Sequence, residues 1–214
     1  MPIYNVQSGS SRIPVAHLQI PKTGGSSIAN YFQYKLDAQM FFGTEMKPIR
    51  PLLRCPPQHY HFALLNELVA LDKTAVGFCV VRNPLDRIES DYVWAMTNSP
   101  KRNRTLDFDG WVADVFARYE RNPYVLANHI RPQHEFIGPA ISAIFKYEDG
   151  LDAALTEVLR MAGVTPEEPV KLEHVNARVQ SADATSLSTG MSGATRDKII
   201  RFYERDFTVF GYEF

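Results

Sequence analysis

Apolar positions along this chain fall into short unbroken runs and longer helical periods, and the two alternate. Val15 to Ile20 is a short apolar run, interrupted by His17 and Gln19, that predicts a buried strand. Pro21 ends it, and Gly24 and Gly25 permit a turn that side chains would block. Ile28, Phe32 and Leu36 then recur at four-residue spacing, predicting a helix capped by Ser26 or Ser27. Ala75 to Val81 is the clearest buried strand, and it runs into Arg82-Asn83-Pro84. Asn83 suits an N-cap and Pro84 the first helical position, so a helix is expected to about Thr97.

Between and after these come weaker signals. Ala38 to Gly43 reads as a short strand, Leu64 to Leu71 as a short helix and residues 124–131 as weakly helical. Residues 108–120 form an amphipathic helix with Trp111 and Phe116, Ile141 to Lys146 a strand, and Leu151 to Ala162 a helix stopped by Gly163. The last helix spans about Thr195 to Phe207 with Ile199, Phe202 and Tyr203 inward. Residues 1–13 read as an irregular lead-in, 44–58 (with Pro48, Pro51, Pro56 and Pro57) as a long loop, and 165–193 as a flexible loop rich in Ser, Thr, Pro and Gly. The alternation predicts one α/β domain over residues 1–214. Its expected form is three layers, α/β/α, around a mostly parallel central sheet with the ligand at the carboxyl ends of strands.

Composition narrows the function classes. A hydrophobic share of 45% and a charged share of 22% are those of a soluble globular protein. A net charge of −1 argues against a general nucleic-acid binder. No apolar stretch has the length of a membrane span, and no signal peptide opens the chain, so a cytoplasmic location is the default expectation. Cys55 and Cys79 make no disulfide framework, and Cys79 lies inside an apolar run as a core residue.

The chemistry gathers at two strand ends. Pro21-Lys22-Thr23-Gly24-Gly25-Ser26-Ser27 joins a strand to a helix N-terminus, where free N–H groups and a positive dipole end suit a phosphate or sulfate. Lys22 adds a cation, and Thr23, Ser26 and Ser27 add hydroxyls. The bland alternative is an ordinary strand-to-helix turn with a surface lysine. Lys22 precedes the glycines, so this is not a Walker A loop. Arg82 stands at the end of the second strand, and in an open α/β sheet the two ends share one edge and can face one ligand. Its planar fork suits phosphate, and Arg87 and Ser90, three apart, share a face of the following helix. The competing reading pairs Arg82 with Asp86 or Glu89.

Ile20 to Ile28 resembles the 5′-phosphosulfate loop of carbohydrate sulfotransferases that use 3′-phosphoadenosine 5′-phosphosulfate (PAPS). Arg82 to Tyr92 is similar to the same family's 3′-phosphate motif, whose first Arg and Ser hold that phosphate. The ending, His174-Val-Asn176 and Tyr203 to Tyr212, is also similar. The resemblance implies a P-loop-like sulfotransferase fold and in-line transfer of a sulfuryl group from PAPS to an acceptor hydroxyl, leaving adenosine 3′,5′-bisphosphate. It implies Lys22, Thr23, Gly24, Gly25, Ser26 and Ser27 at the 5′-phosphosulfate, Arg82 and Ser90 at the 3′-phosphate, and Asn176 with the Arg178–Ser192 loop closing over the ligand. It also implies Lys22 as the group that neutralises the leaving oxygen, with no metal.

His59-Tyr60-His61 resembles the His-x-His segment of the uronyl 2-O-sulfotransferase branch, which makes His61 the expected general base and His59 its helper. The alternative is a pair of ordinary loop or core histidines. His17 is expected to be structural, and His129 and His134 have no motif context. Lys101, Arg102 and Arg104 suit an anionic sugar chain or simply a solvated turn, and Trp94, Trp111 and Tyr119 suit stacking on an acceptor or, more often at such spacing, a core. The expected partner is a glycan or a small hydroxyl compound, with no nucleic acid and no membrane span. The animal enzymes carry an anchor and stalk that this chain lacks, so a soluble, bacterial member is expected. Rival readings are a nucleotide kinase-like phosphoryl transferase and a non-catalytic module that binds PAPS or its product. A tyrosine, lipid or phenol acceptor is a further variant.

Overall fold

The computed structural model describes residues 1–42, 53–68, 76–98, 106–139, 141–173 and 190–214. Among these, the strands are β1 (Ile3–Ser8), β2 (Ser11–Leu18), β3 (Gln39–Phe41), β4 (Val76–Val81) and β5 (Ala143–Lys146). They form one sheet in the order β3-β1-β2-β4-β5. β2, β4 and β5 are parallel neighbours, while β1 is antiparallel to both β2 and β3. All but β1 therefore run the same way.

Two apolar layers flank the sheet because strand side chains alternate. Val76, Phe78 and Val80 face Ile28, Phe32, Leu151, Leu155 and Val158, from the segment beginning at α1 (Gly25–Asn30) and from α5 (Leu151–Met161). Cys79, Val81 and Leu18 face Leu65 of α2 (Phe62–Leu68) and Phe136. Every residue of β4 is buried, as a central parallel strand requires. A third cluster joins α3 (Pro84–Asn98), α4 (Phe108–Arg121), α6 (Gly193–Phe202) and α7 (Glu204–Phe210) through Ile88, Tyr92, Trp111, Phe116, Ile199, Tyr203 and Phe207. Among the described residues no helix is long and apolar enough to cross a membrane.

Several expectations hold in detail. The Asn83 side chain accepts from the Leu85 N–H at 2.9 Å, with Pro84 opening α3. His17 is fully buried and stacked on Phe78 with ring centroids 4.6 Å apart, and burial lowers its pKa to about 3, so it packs as a neutral ring.

Others are corrected. Residues 1–13 are no irregular lead-in: β1 and β2 form a hairpin turned at Gly9 (φ 57°) and Ser10. Tyr4 and Val6 are buried while Gln7 is exposed, a period-two pattern too short to stand out among polar neighbours. The first helix is not capped by Ser26 or Ser27. Gly24 is its N-cap, with φ 84° and ψ 10°, and both serines lie inside the first turn. The last helix breaks at Tyr203 (φ −106°, ψ 18°), whose buried hydroxyl donates to the Ile130 carbonyl at 2.8 Å. The weakly helical stretch 124–131 holds a left-handed turn, with φ of 48° at Leu126, 58° at Ala127 and 70° at Asn128.

Candidate active site at the ends of two parallel strands

The loop after β2 is shaped by its glycines. Gly24 has φ 84°, a region that L side chains enter at a cost, and a Cβ there would run into Leu151 at the start of α5. A Cβ on Gly25 would run into the Gln19 side chain. Lys22 is itself left-handed, φ 70°. Thr23 is buried and its hydroxyl donates to the Ile20 carbonyl at 2.9 Å, so that hydroxyl braces the loop instead of facing a ligand. Ser26 is half-buried and Ser27 buried in the helix's first turn, where the Ser27 N–H donates to the Gly24 carbonyl at 3.0 Å.

β2 and β4 are neighbours in register, Leu18 opposite Cys79, so their carboxyl ends adjoin. Arg82 Nη1 donates across the gap to the Lys22 carbonyl at 3.4 Å, and its guanidinium lies 4.7 Å from the Tyr147 ring. The Arg82 backbone is held on both sides by Gln133, whose Oε1 accepts at 2.9 Å and whose Nε2 donates at 2.7 Å. Among the described residues its partners are thus Lys22, Gln133 and Tyr147 rather than Asp86 or Glu89. Lys22 Nζ lies 5.6 Å from the centre of the Trp94 ring. Burial holds its pKa below the ordinary lysine value, with Asp91 opposing that shift and Arg82 adding to it. Ser90 is half-buried two turns into α3. Arg87 does not join the ligand side: it is 2% exposed and donates to the His129 and Arg131 carbonyls, both at 3.0 Å.

The C-terminal segment, part of the family-like ending, braces this edge. Asp206, fully buried, accepts from the Gln133 N–H at 2.7 Å, the His134 N–H at 2.9 Å and His134 Nδ1 at 2.7 Å. Glu148 accepts from the Asn83 N–H at 2.7 Å and the Tyr212 hydroxyl at 2.9 Å. A buried carboxylate needs partners, so Asp206 within the apolar face of α7 was the available signal.

The structure separates the paired histidines by their company. His59 Nδ1 lies 3.4 Å from the Gln19 carbonyl, and its ring meets His129 edge-on at 5.1 Å. His61 packs against Tyr124 at 5.8 Å, with Nδ1 buried and without a hydrogen-bond partner among the described residues. Burial first, then the Arg131 cation, lowers its pKa to about 4, against a smaller opposing effect of Glu135. His129, which had no motif context, stands between His59 and Trp94, 5.2 Å from the latter's ring, with Nδ1 2.6 Å from Asp91. Trp94 is 40% exposed and belongs to this edge, whereas Trp111 is core and Tyr119 is partly buried, its hydroxyl donating to Glu135 at 3.4 Å. Asn176, His174, Lys101, Arg102, Arg104 and most of the Arg178–Ser192 loop lie outside the described residues.

A family model described as "Sulfotransferase family" matches residues 10–213. The chain belongs to the sulfotransferase family. The match spans both strand-end segments and the C-terminal brace, and the α/β sheet is that of the sulfotransferase fold. No curated protein and no solved structure matches the chain.

Proposed function

We infer that this sulfotransferase uses PAPS as donor and a hydroxyl-rich acceptor, a carbohydrate, as recipient. The observation that carries the reading is the meeting of two cationic segments: Arg82 reaches the Lys22 carbonyl at 3.4 Å from the neighbouring strand end, beside a loop that turns through a left-handed Gly24. Such a donor set fits a ligand with two separated anionic groups. When bound, PAPS supplies the sulfuryl group and leaves as adenosine 3′,5′-bisphosphate.

The chain's own residues divide the work. Lys22 and the loop from Thr23 to Ser27 hold the 5′-phosphosulfate end, Arg82 and Ser90 the 3′-phosphate, and Asn176 joins them as the resemblance implies. Lys22 offsets the charge that grows on the departing oxygen. Its lowered pKa makes it a readier proton donor there. Gln19, Asn30, Gln33 and Gln58 line a cleft beside Ser26, and neutral amides that both donate and accept suit sugar hydroxyls. The exposed Trp94 adds an apolar ring face beside Lys22. The acceptor's proton goes to a histidine, and three stand in this neighbourhood: His59, His61 and His129.

Transfer of labelled sulfate from PAPS to a panel of mono- and oligosaccharides tests the reading. Lys22→Ala is expected to cut turnover by about 10²-fold or more. Wild-type protein that moves no label to any hydroxyl acceptor would overturn it.

A further inference from the structure

Asp91 and His129 come from different elements and form a close pair. Asp91 lies on α3 with its side chain 3% exposed, the His129 side chain is 11% exposed, and His129 Nδ1 is 2.6 Å from Asp91 Oδ1. An ionised carboxylate only accepts, so Nδ1 carries a proton toward it, and in the neutral ring Nε2 carries the lone pair. Asp91 Oδ2 is buried without a hydrogen-bond partner among the described residues, so the carboxylate is committed to His129.

The placement of this ring is imposed at a cost. Leu126, Ala127 and Asn128 run left-handed immediately before it, which costs about 1–2 kcal/mol per residue and persists only where surrounding contacts dictate it. Those contacts are present. Arg87 fastens the His129 and Arg131 carbonyls, both at 3.0 Å. Asn128 Nδ2 donates to the His59 carbonyl at 2.8 Å, and its Oδ1 accepts from Arg131 Nε at 2.9 Å. The strained turn delivers His129 against His59 at 5.1 Å and Trp94 at 5.2 Å, and Trp94 carries Lys22 Nζ 5.6 Å from its ring centre. The Trp94 ring is thus a shared neighbour of His129 and the candidate leaving-group lysine.

We propose that His129 Nε2 receives the acceptor's proton during sulfuryl transfer and that Asp91 is its positioning residue. The proposal rests on the sulfotransferase reading above. As the acceptor oxygen bonds to sulfur, its proton moves to Nε2. The electron pair of the broken sulfur–oxygen bond stays on the departing phosphate oxygen, on the Lys22 side. Asp91 fixes the tautomer and stabilises the imidazolium that forms. His59 Nδ1 lies 3.4 Å from the Gln19 carbonyl, while His61 Nδ1 has no hydrogen-bond partner among the described residues and its pKa is lowered by burial and by the Arg131 cation. Among the described residues the charged or titratable groups around His129 include Asp91, His59, Lys22 by way of Trp94, and Arg87 at its carbonyl.

The test compares wild type with His129→Ala, His129→Gln, Asp91→Asn and His61→Ala. Adenosine 3′,5′-bisphosphate affinity, thermal melting, turnover against pH, and histidine nitrogen NMR of the ligand-free protein are read for each. The His129 variants should keep bisphosphate affinity within about threefold while turnover falls about 10²-fold or more. His129→Gln keeps a hydrogen-bonding side chain if the alanine variant melts early. Asp91→Asn should lose about tenfold or more in turnover while bisphosphate affinity is kept. NMR should show His129 as the Nδ1–H tautomer in wild type and a mixture in Asp91→Asn. Near-normal turnover in folded His129→Gln overturns the proposal. So does a loss of turnover and of the acid limb confined to His61→Ala. In both cases transfer by the wild type leaves the sulfotransferase reading standing, whereas a wild type that neither binds the bisphosphate nor transfers sulfate fails at the earlier step.

Discussion

Two histidine–aspartate pairs lie on either side of the segment 129–134, and they differ in what surrounds the carboxylate. In the first, His129 Nδ1 and Asp91 Oδ1 are 2.6 Å apart, while Asp91 Oδ2 has no hydrogen-bond partner among the described residues. In the second, His134 Nδ1 and Asp206 Oδ1 are 2.7 Å apart, and Asp206 also accepts two backbone N–H groups. The Asp206 pair is a structural knot: it ties α7 to the turn that carries Gln133, and Gln133 in turn holds both backbone groups of Arg82. Among the described residues the Asp91 carboxylate is hydrogen-bonded to one imidazole, whose ring neighbours are His59 and Trp94. Identical chemistry thus serves architecture in one place and is poised for proton transfer in the other.

The sharpest way to break this contrast is to remove the knot. Asp206→Ala leaves buried donors unpaired and should cost about 3–5 kcal/mol, lowering the melting temperature by about 10 °C. Asp91→Asn should change melting far less, and equal losses of stability in the two variants would erase the distinction. Next in size is Gly24→Ala, which combines a left-handed φ with a collision against Leu151. It should cost about 1–3 kcal/mol and weaken bisphosphate binding, as read by melting and calorimetry together.

Histidines without a carboxylate sharpen the contrast further. His17 falls from the ordinary 6.5 to about 3 through burial, and His61 from the same value to about 4. Below pH 6.5 the unfolded chain takes up protons that the folded chain refuses, so this contribution to stability is present above about pH 6.5 and drains as pH falls through the window down to 3. His17→Leu should flatten the fall of melting temperature between pH 6.5 and 4. An unchanged slope would place the acid sensitivity elsewhere. The smallest effect belongs to Tyr212→Phe, which removes one hydroxyl from Glu148 and should cost about 0.5–1.5 kcal/mol with turnover nearly intact.

The central sheet and both strand-end segments were legible because each is local. A buried run, a glycine turn and a helix start occupy consecutive residues at Val15–Ile28 and again, with Asn83 and Pro84, at Val76–Asn98. β1 escaped notice because two inward residues among polar ones give too little period to read, although Gly9 marks its turn. The Asp91–His129 pair was illegible for another reason. Its members lie 38 residues apart and meet only through a left-handed turn that the residue types at Leu126 and Ala127 disfavour. Trp94 read as an acceptor-stacking ring or, more often at such spacing, core, and it is 40% exposed beside Lys22. An aspartate on the inward face of α3, between Ile88 and Tyr92, was the one hint that a partner was needed.

The account stands on one site reading two anionic groups from two strand ends. Calorimetric titration of wild type and Arg82→Ala with adenosine 3′,5′-bisphosphate, adenosine 5′-monophosphate and ATP, without added metal, tests that claim most directly. The account predicts preference for the bisphosphate in wild type and its collapse to the level of the monophosphate in Arg82→Ala. Equal binding of the monophosphate and bisphosphate by wild type, or indifference to the loss of Arg82, would contradict it.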